Sequence, residues 1–130
     1  MSPSSNNESL LALMNEWPDS WAGLEADKAF GAALVAEMRP FVVHMQSLGL
    51  APRTVRNHLD NLWVIGGEIV RRLHDEPELR RKEPREVLLD AIDLGEAPLV
   101  HGASESEQRG LDATARRLLR FLTKGGSEAR

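Results

Sequence analysis

One stretch constrains the chain more than any other: "GLAPRTVRNHLDNLWVIGGEIVRRL", residues 49–73. At 100° per residue, Val55, Leu59, Leu62, Gly66, Ile69 and Leu73 recur at spacings of four and three and form one continuous stripe. Ile65, Trp63 and Val70 widen it, and Pro52 stands where a first helical residue belongs. A long amphipathic helix of this kind must bury its stripe against other elements. The Gly66-Gly67 pair costs roughly 1 kcal/mol per glycine against alanine, so it requires a compensating contact. Gly66 lies near the middle of the stripe and Gly67 at its edge, which predicts a site of close helix approach. Trp63, at the border of the stripe, is expected in the core.

The remaining segments also read at the helical period, and none reads as a strand, so the expected fold is all-α, a bundle of about five to six helices. Asn7 is a candidate cap for a short helix carrying Leu10, Leu11, Leu13 and Met14. "WPDSW" reads as a turn, followed by an alanine-rich helix from about Ala22 to Met38. Pro40 is expected to end or kink that helix, leaving "PFVVHMQSL" as a second short one closed by Gly49. "DEPELRRKEPREVLLDAIDLG" reads as a charged connector leading to a helix from about Pro84 to Ile92, and "GEAPLVHGA" as a loop. The last helix starts at "SESE", where Ser104 and Glu107 have capping-box spacing, and runs to Lys124. This gives a flexible, short helical N-terminal extension over 1–21, a single helical domain over 22–124 and a disordered tail over 125–130.

At 130 residues the chain suits one domain. It has no cysteine, which excludes disulfides and thiolate chemistry and agrees with a cytoplasmic protein. No window approaches the roughly 20 apolar residues that span a bilayer, and no secretory leader pattern opens the sequence, so no membrane role is expected. The net charge is -4, but residues 1–52 hold two basic and six acidic side chains while residues 53–130 hold fourteen of each. Thirteen of the sixteen cations are arginine, suited to bidentate contacts.

The cations gather on the last helix. Leu111, Thr114, Ala115, Leu118, Leu119, Phe121 and Leu122 form its inward side, and Arg109, Arg116, Arg117, Arg120 and Lys124 share the other, with Asp112 the one acid nearby in the helix body. Three roles fit such a face: a solvated surface whose cations complement the helix dipole, a phosphate-binding face, or a docking face for an acidic partner. His44, His58, His74 and His101 have no metal-ligand spacing, and Asp90 and Asp93 read as solvated neighbours near a helix end. No metal, cofactor or catalytic constellation is expected.

The segments "FVVHMQSLGLAPRTVRNHLDNLW" and "ESEQRGLDATARRLLRFL" resemble the N-terminal core-binding domain of tyrosine recombinases, the phage integrase family. The resemblance covers roughly residues 39–124. It is carried by Phe41, Gly49, Leu50, Thr54, Val55, His58, Leu59 and Leu62, then by Arg109, Leu111, Ala115, Arg116, Leu119, Phe121 and Leu122. It implies a SAM-like helical core that clamps duplex DNA. Arg53, Arg56 and Asn57 at the start of the long helix, with the basic face of the last helix, are then the DNA-contacting residues. The family breaks DNA with a tyrosine in a separate domain, and this sequence has no tyrosine, so that strand transfer is not expected of it. The resemblance thus implies a non-catalytic DNA-binding module, accessory to a recombinase or mobile element. The alternative is a protein-interaction or dimerisation module using the acidic, tryptophan-bearing N-terminal segment.

Overall fold

The computed structural model describes residues 3–21 and 24–125, with side chains described from Ser9 to Thr123 apart from residues 22 and 23. It is an all-α bundle, with no strand among the described residues. In chain order the helices are α1 (Pro3–Met14), α2 (Trp17–Trp21), α3 (Glu25–Ser47), α4 (Pro52–Asp75), α5 (Pro84–Ile92) and α6 (Glu105–Arg120). A 3-10 turn spans Pro77–Arg81, and α6 widens into a π-turn over Phe121–Gly125.

Helices α3 and α4 form the centre. Phe30, Leu34, Met38, Phe41 and Met45 follow one another at spacings of three and four along α3, and all are buried. They meet Leu59, Leu62, Ile65, Ile69 and Leu73 of α4 in a single core that α5 and α6 close with Val87, Leu88, Ile92, Leu111, Ala115 and Leu118. Met14 and Trp17 lie in the same core, so the N-terminal helices are packed onto the bundle. Arg39 fastens them: its Nη1 donates to the Leu11 carbonyl at 3.1 Å and its Nη2 to Asn15 Oδ1 at 2.7 Å.

Several local expectations differ from the structure. Helix α3 does not stop at Arg39 but continues through Pro40 to Ser47. An interior proline costs about 3 kcal/mol, whereas fully burying one large apolar side chain returns about 1.5–3 kcal/mol. Phe41, Val42 and Met45, all buried beyond the proline, therefore outweigh it, and Pro40 itself sits on the exposed side. Helix α1 begins at Pro3, ahead of Asn7. "WPDSW" is a one-turn helix, α2, rather than a turn. Helices α5 and α6 start where the sequence places them. At α6 the capping box is complete, with Ser104 Oγ accepting from the Glu107 amide at 3.0 Å and Glu107 Oε1 accepting from the Ser104 amide at 2.8 Å.

The Gly66-Gly67 pair does mark a close approach, but to an indole rather than to another helix backbone. The Trp21 ring lies between α3 and α4, so that a Cβ on Gly66 would collide with Cζ2 and Cη2, and one on Gly31 of α3 would reach Cε3 at 3.3 Å. Trp21 Nε1 donates to the Trp63 carbonyl at 3.0 Å. Trp63, expected in the core, is 43% exposed and uses its own Nε1 to donate to Ser20 Oγ. The core place on this side of α4 is taken by Trp21 and Trp17, whose rings lie 5.7 Å apart.

Candidate nucleic-acid interface

The arginine face of α6 is positioned by α4 on one flank and by the 93–103 loop on the other. Toward α4, Asn61 Nδ2 donates to the Gly110 carbonyl at 3.2 Å and to Thr114 Oγ1 at 2.9 Å. One turn earlier on α4, His58 Nδ1 lies 2.7 Å from the same Thr114 hydroxyl. As α4 runs back from Asn61 to His58, its partners run forward along α6, so the two helices are antiparallel. The N-terminal end of α4, with Arg53 and Asn57, therefore lies toward the C-terminal, cationic half of α6. The charge of Arg117 reaches His58: burial first, then that guanidinium, holds the imidazole below the ordinary histidine value.

On the other flank the loop is clasped by one row of α6 side chains spaced four apart, Gln108, Asp112 and Arg116. Asp112 Oδ1 accepts from the Ala97 amide at 2.9 Å and from Gln108 Nε2 at 3.3 Å. Gln108 Oε1 accepts from the Val100 amide at 3.1 Å, while its Nε2 donates to the Pro98 carbonyl at 3.2 Å. Gly95, at φ +73°, lies where a Cβ would meet the Arg116 stem at 3.7 Å. Asp112 is thus turned to loop amides rather than to the arginines. Below α6, Arg85 ties the π-turn down, donating from Nη2 to the Leu122 carbonyl at 3.0 Å and from Nη1 to Glu37 Oε1 at 2.9 Å.

Between these flanks Arg109, Arg116, Arg117 and Arg120 are all exposed, and among the described residues none of the four has a carboxylate partner within salt-bridge distance. Arg53 on α4 is likewise exposed and unpaired among them. The side chain of Lys124 lies outside the described residues. Asn57, with Thr54, His58, Asn61, His101 and Gly110, lines an open groove of about 780 Å³ between α4, α6 and the end of the loop. Arg56 does not join this set. It pairs with Asp60 at 3.2 Å and turns toward a separate cleft of about 500 Å³ lined by Leu13, Trp17 and Trp63.

Sequence reasoning did not single out Asn61, which with Thr114 fixes the register of α4 on α6, nor Gln108, which with Asp112 holds the loop. Their signal is a polar residue beside the apolar stripe, Asn61 on α4 and Gln108 on α6. Among the described residues no group of acidic residues and histidines is placed to hold a metal ion, and no helix is long and apolar enough to cross a membrane. No family model, curated protein or solved structure matches this chain.

Proposed function

We propose that this protein is a non-catalytic duplex DNA-binding module, accessory to a recombinase or mobile element, that holds DNA phosphates with the arginine face of α6 and the start of α4. The observation that carries this reading is the contrast among the arginines. Arg39, Arg56, Arg71, Arg80 and Arg85 are engaged by carboxylates, an amide oxygen or backbone carbonyls of the protein. Arg72 and Arg81 also lack an acidic partner among the described residues but lie at or beyond the other end of α4, whereas Arg53, Arg109, Arg116, Arg117 and Arg120 point outward from α6 and the start of α4 without an acidic partner among them, although the chain as a whole is acidic. Guanidinium groups left unneutralised on one surface suit the bidentate recognition of phosphate. Asn57, beside them in the groove, offers an amide for a base edge or a sugar.

The test is a gel-shift titration with random duplex DNA at low and moderate salt, run beside an Arg116→Glu, Arg117→Glu, Arg120→Glu triple variant. Five neutralised phosphates give a log affinity that falls with log salt at a slope near −4 to −5. The triple variant is expected to abolish the shift. No shift by the wild type at low salt sinks the reading. A second reading, as a protein-interaction module, rests on the cleft containing Leu13, Trp17 and Trp63; its mark is a partner captured independently of Arg116 and Arg120.

A further inference from the structure

Two of the most exposed large apolar side chains in the protein flank the arginine face. Leu94 is 81% exposed and Leu99 is 85% exposed, and both belong to the loop that Gln108, Asp112 and Arg116 clasp. This loop is not a loose tether. Its backbone is held at Ala97, Pro98 and Val100, Pro98 and Ala97 are buried, and the chain turns at Gly95 and Gly102 with φ of +73° and +88°. The two leucines are therefore presented to solvent from a backbone held by hydrogen bonds. Single exposed leucines are ordinary; here two stand on one hydrogen-bonded loop along the flank of a cationic face.

Their position relative to the arginines follows from the clasp. Gly95 lies against Arg116, Ala97 against Asp112, and Pro98 and Val100 against Gln108, so the loop runs antiparallel to α6 along the flank of its basic face. Leu94 is next to the Arg116 end and Leu99 next to the Gln108 and Arg109 end. The loop segment they delimit follows about 12 Å of helix, from the 1.5 Å rise per residue, which corresponds to roughly three or four steps along a nucleic-acid strand. Apolar side chains set beside phosphate-binding cations are the arrangement by which proteins enter between base steps, unstacking them while cations hold the flanking phosphates.

We propose that Leu94 and Leu99 are apolar wedges that enter the duplex between base steps while Arg109, Arg116 and Arg120 hold the adjacent phosphates. The proposal rests on the DNA-binding reading above. It adds that the bound duplex is deformed, so that this module binds and kinks DNA rather than only coating its backbone. The exposed Arg109, Arg116, Arg117 and Arg120 outnumber the loop's exposed acids Asp93 and Glu96, and their complementarity to a polyphosphate backbone favours DNA over an uncharged apolar partner as the occupant of this flank.

The experiment uses the full chain and a mixed-sequence duplex of about 20 base pairs, about 70 Å long. It reads affinity by gel shift, unstacking by permanganate reactivity of thymines, and kinking by energy transfer between the duplex ends. Wild type is expected to bind, to raise thymine reactivity at discrete positions severalfold and to shorten the end-to-end distance. The Leu94→Ser, Leu99→Ser double variant, whose substitutions touch no core residue, is expected to keep the salt-dependent shift within about threefold while losing both deformation signals. Replacement by phenylalanine at both positions is expected to retain them. Binding by wild type without unstacking or kinking overturns the wedge assignment and leaves the DNA reading standing, as does a serine variant that deforms the duplex like wild type. Absence of any wild-type shift overturns both. Vesicles of phosphatidylserine and phosphatidylcholine form the last arm: leucine-dependent vesicle binding, with DNA bound undeformed, assigns the leucines to a membrane surface and overturns the wedge.

Discussion

Arg80 reaches from the 3-10 turn after α4 to a fully buried carboxylate on α3: its Nε donates to Asp27 Oδ1 at 2.8 Å and its Nη2 to Oδ2 at 3.4 Å. His74 of α4 stands 3.7 Å from Oδ2 on the same carboxylate. The pair fastens the charged connector to the start of α3, and so decides where the chain leaves α4 on its way to α5. A buried charge that loses its partner is far costlier than one replaced together with its partner. Arg80→Ala is accordingly expected to lower the thermal midpoint by several degrees, and the Asp27→Asn, Arg80→Ala double variant to recover part of that loss. Thermal melts followed by circular dichroism check the order. A double variant less stable than Arg80→Ala alone would rule out the unpaired carboxylate as the cause.

At Gly66 two effects compete with known sizes. An alanine there gains up to about 1 kcal/mol of helix propensity, but its methyl must displace the Trp21 ring, and overpacking of this kind costs about 1–3 kcal/mol. The expected result is a net loss of up to about 2 kcal/mol in denaturant unfolding. At Gly67 a Cβ would meet Trp21 Cδ1 and Nε1 at 3.3 Å, a contact the ring relieves by moving a few tenths of an ångström. Gly67→Ala is expected within about 0.5 kcal/mol of wild type. In a Trp21→Ala background the penalty at Gly66 should vanish, because the obstacle has gone.

His58 links the register of the two helices to pH. Burial, then the Arg117 charge, lowers its folded-state pKa below the ordinary 6.5, so the folded protein binds fewer protons than the unfolded chain near that value. Its contribution to stability is present above about pH 6.5 and declines as the pH falls through the folded-state value. Histidine titration by NMR should show the His58 midpoint below 6.5. Arg117→Gln should move it part of the way up, since burial, the larger cause, remains. Addition of duplex DNA should also raise it, because phosphates drawn to Arg117 favour the imidazolium. A midpoint unmoved by DNA that demonstrably binds would place the duplex away from this flank.

Much of the helical pattern was legible because burial and capping are local in sequence. The stripe from Val55 to Leu73, the Pro84–Ile92 helix and the Ser104 and Glu107 capping box depend on residues within one or two turns of each other. Pro40 misled because the rule that ends a helix at proline weighs one lost hydrogen bond and not the Phe41, Val42 and Met45 side chains buried beyond it. Trp63 misled for a related reason. Its position on the border of the α4 stripe allows either core or surface, and Trp21, forty-two residues earlier, took the core side.

The candidate face divides in the same way. The periodicity of α6 placed Arg109, Arg116, Arg117 and Arg120 on one side before any packing was known, because 100° per residue fixes which side chains share a helix face. The sequence likewise grouped Arg53, Arg56 and Asn57 at the start of α4. Only the tertiary structure decided that the start of α4 lies toward the cationic half of α6, that Arg56 belongs to the Trp63 cleft, and that Asp112 serves loop amides instead of neutralising the arginines. The first of those relations depends on hydrogen bonds between residues fifty or so positions apart, such as Asn61 to Thr114, and the last on the bond from the Ala97 amide to Asp112 across the loop, whose register no local pattern encodes. Sequence determined which residues could face outward together; packing determined what each of them faces.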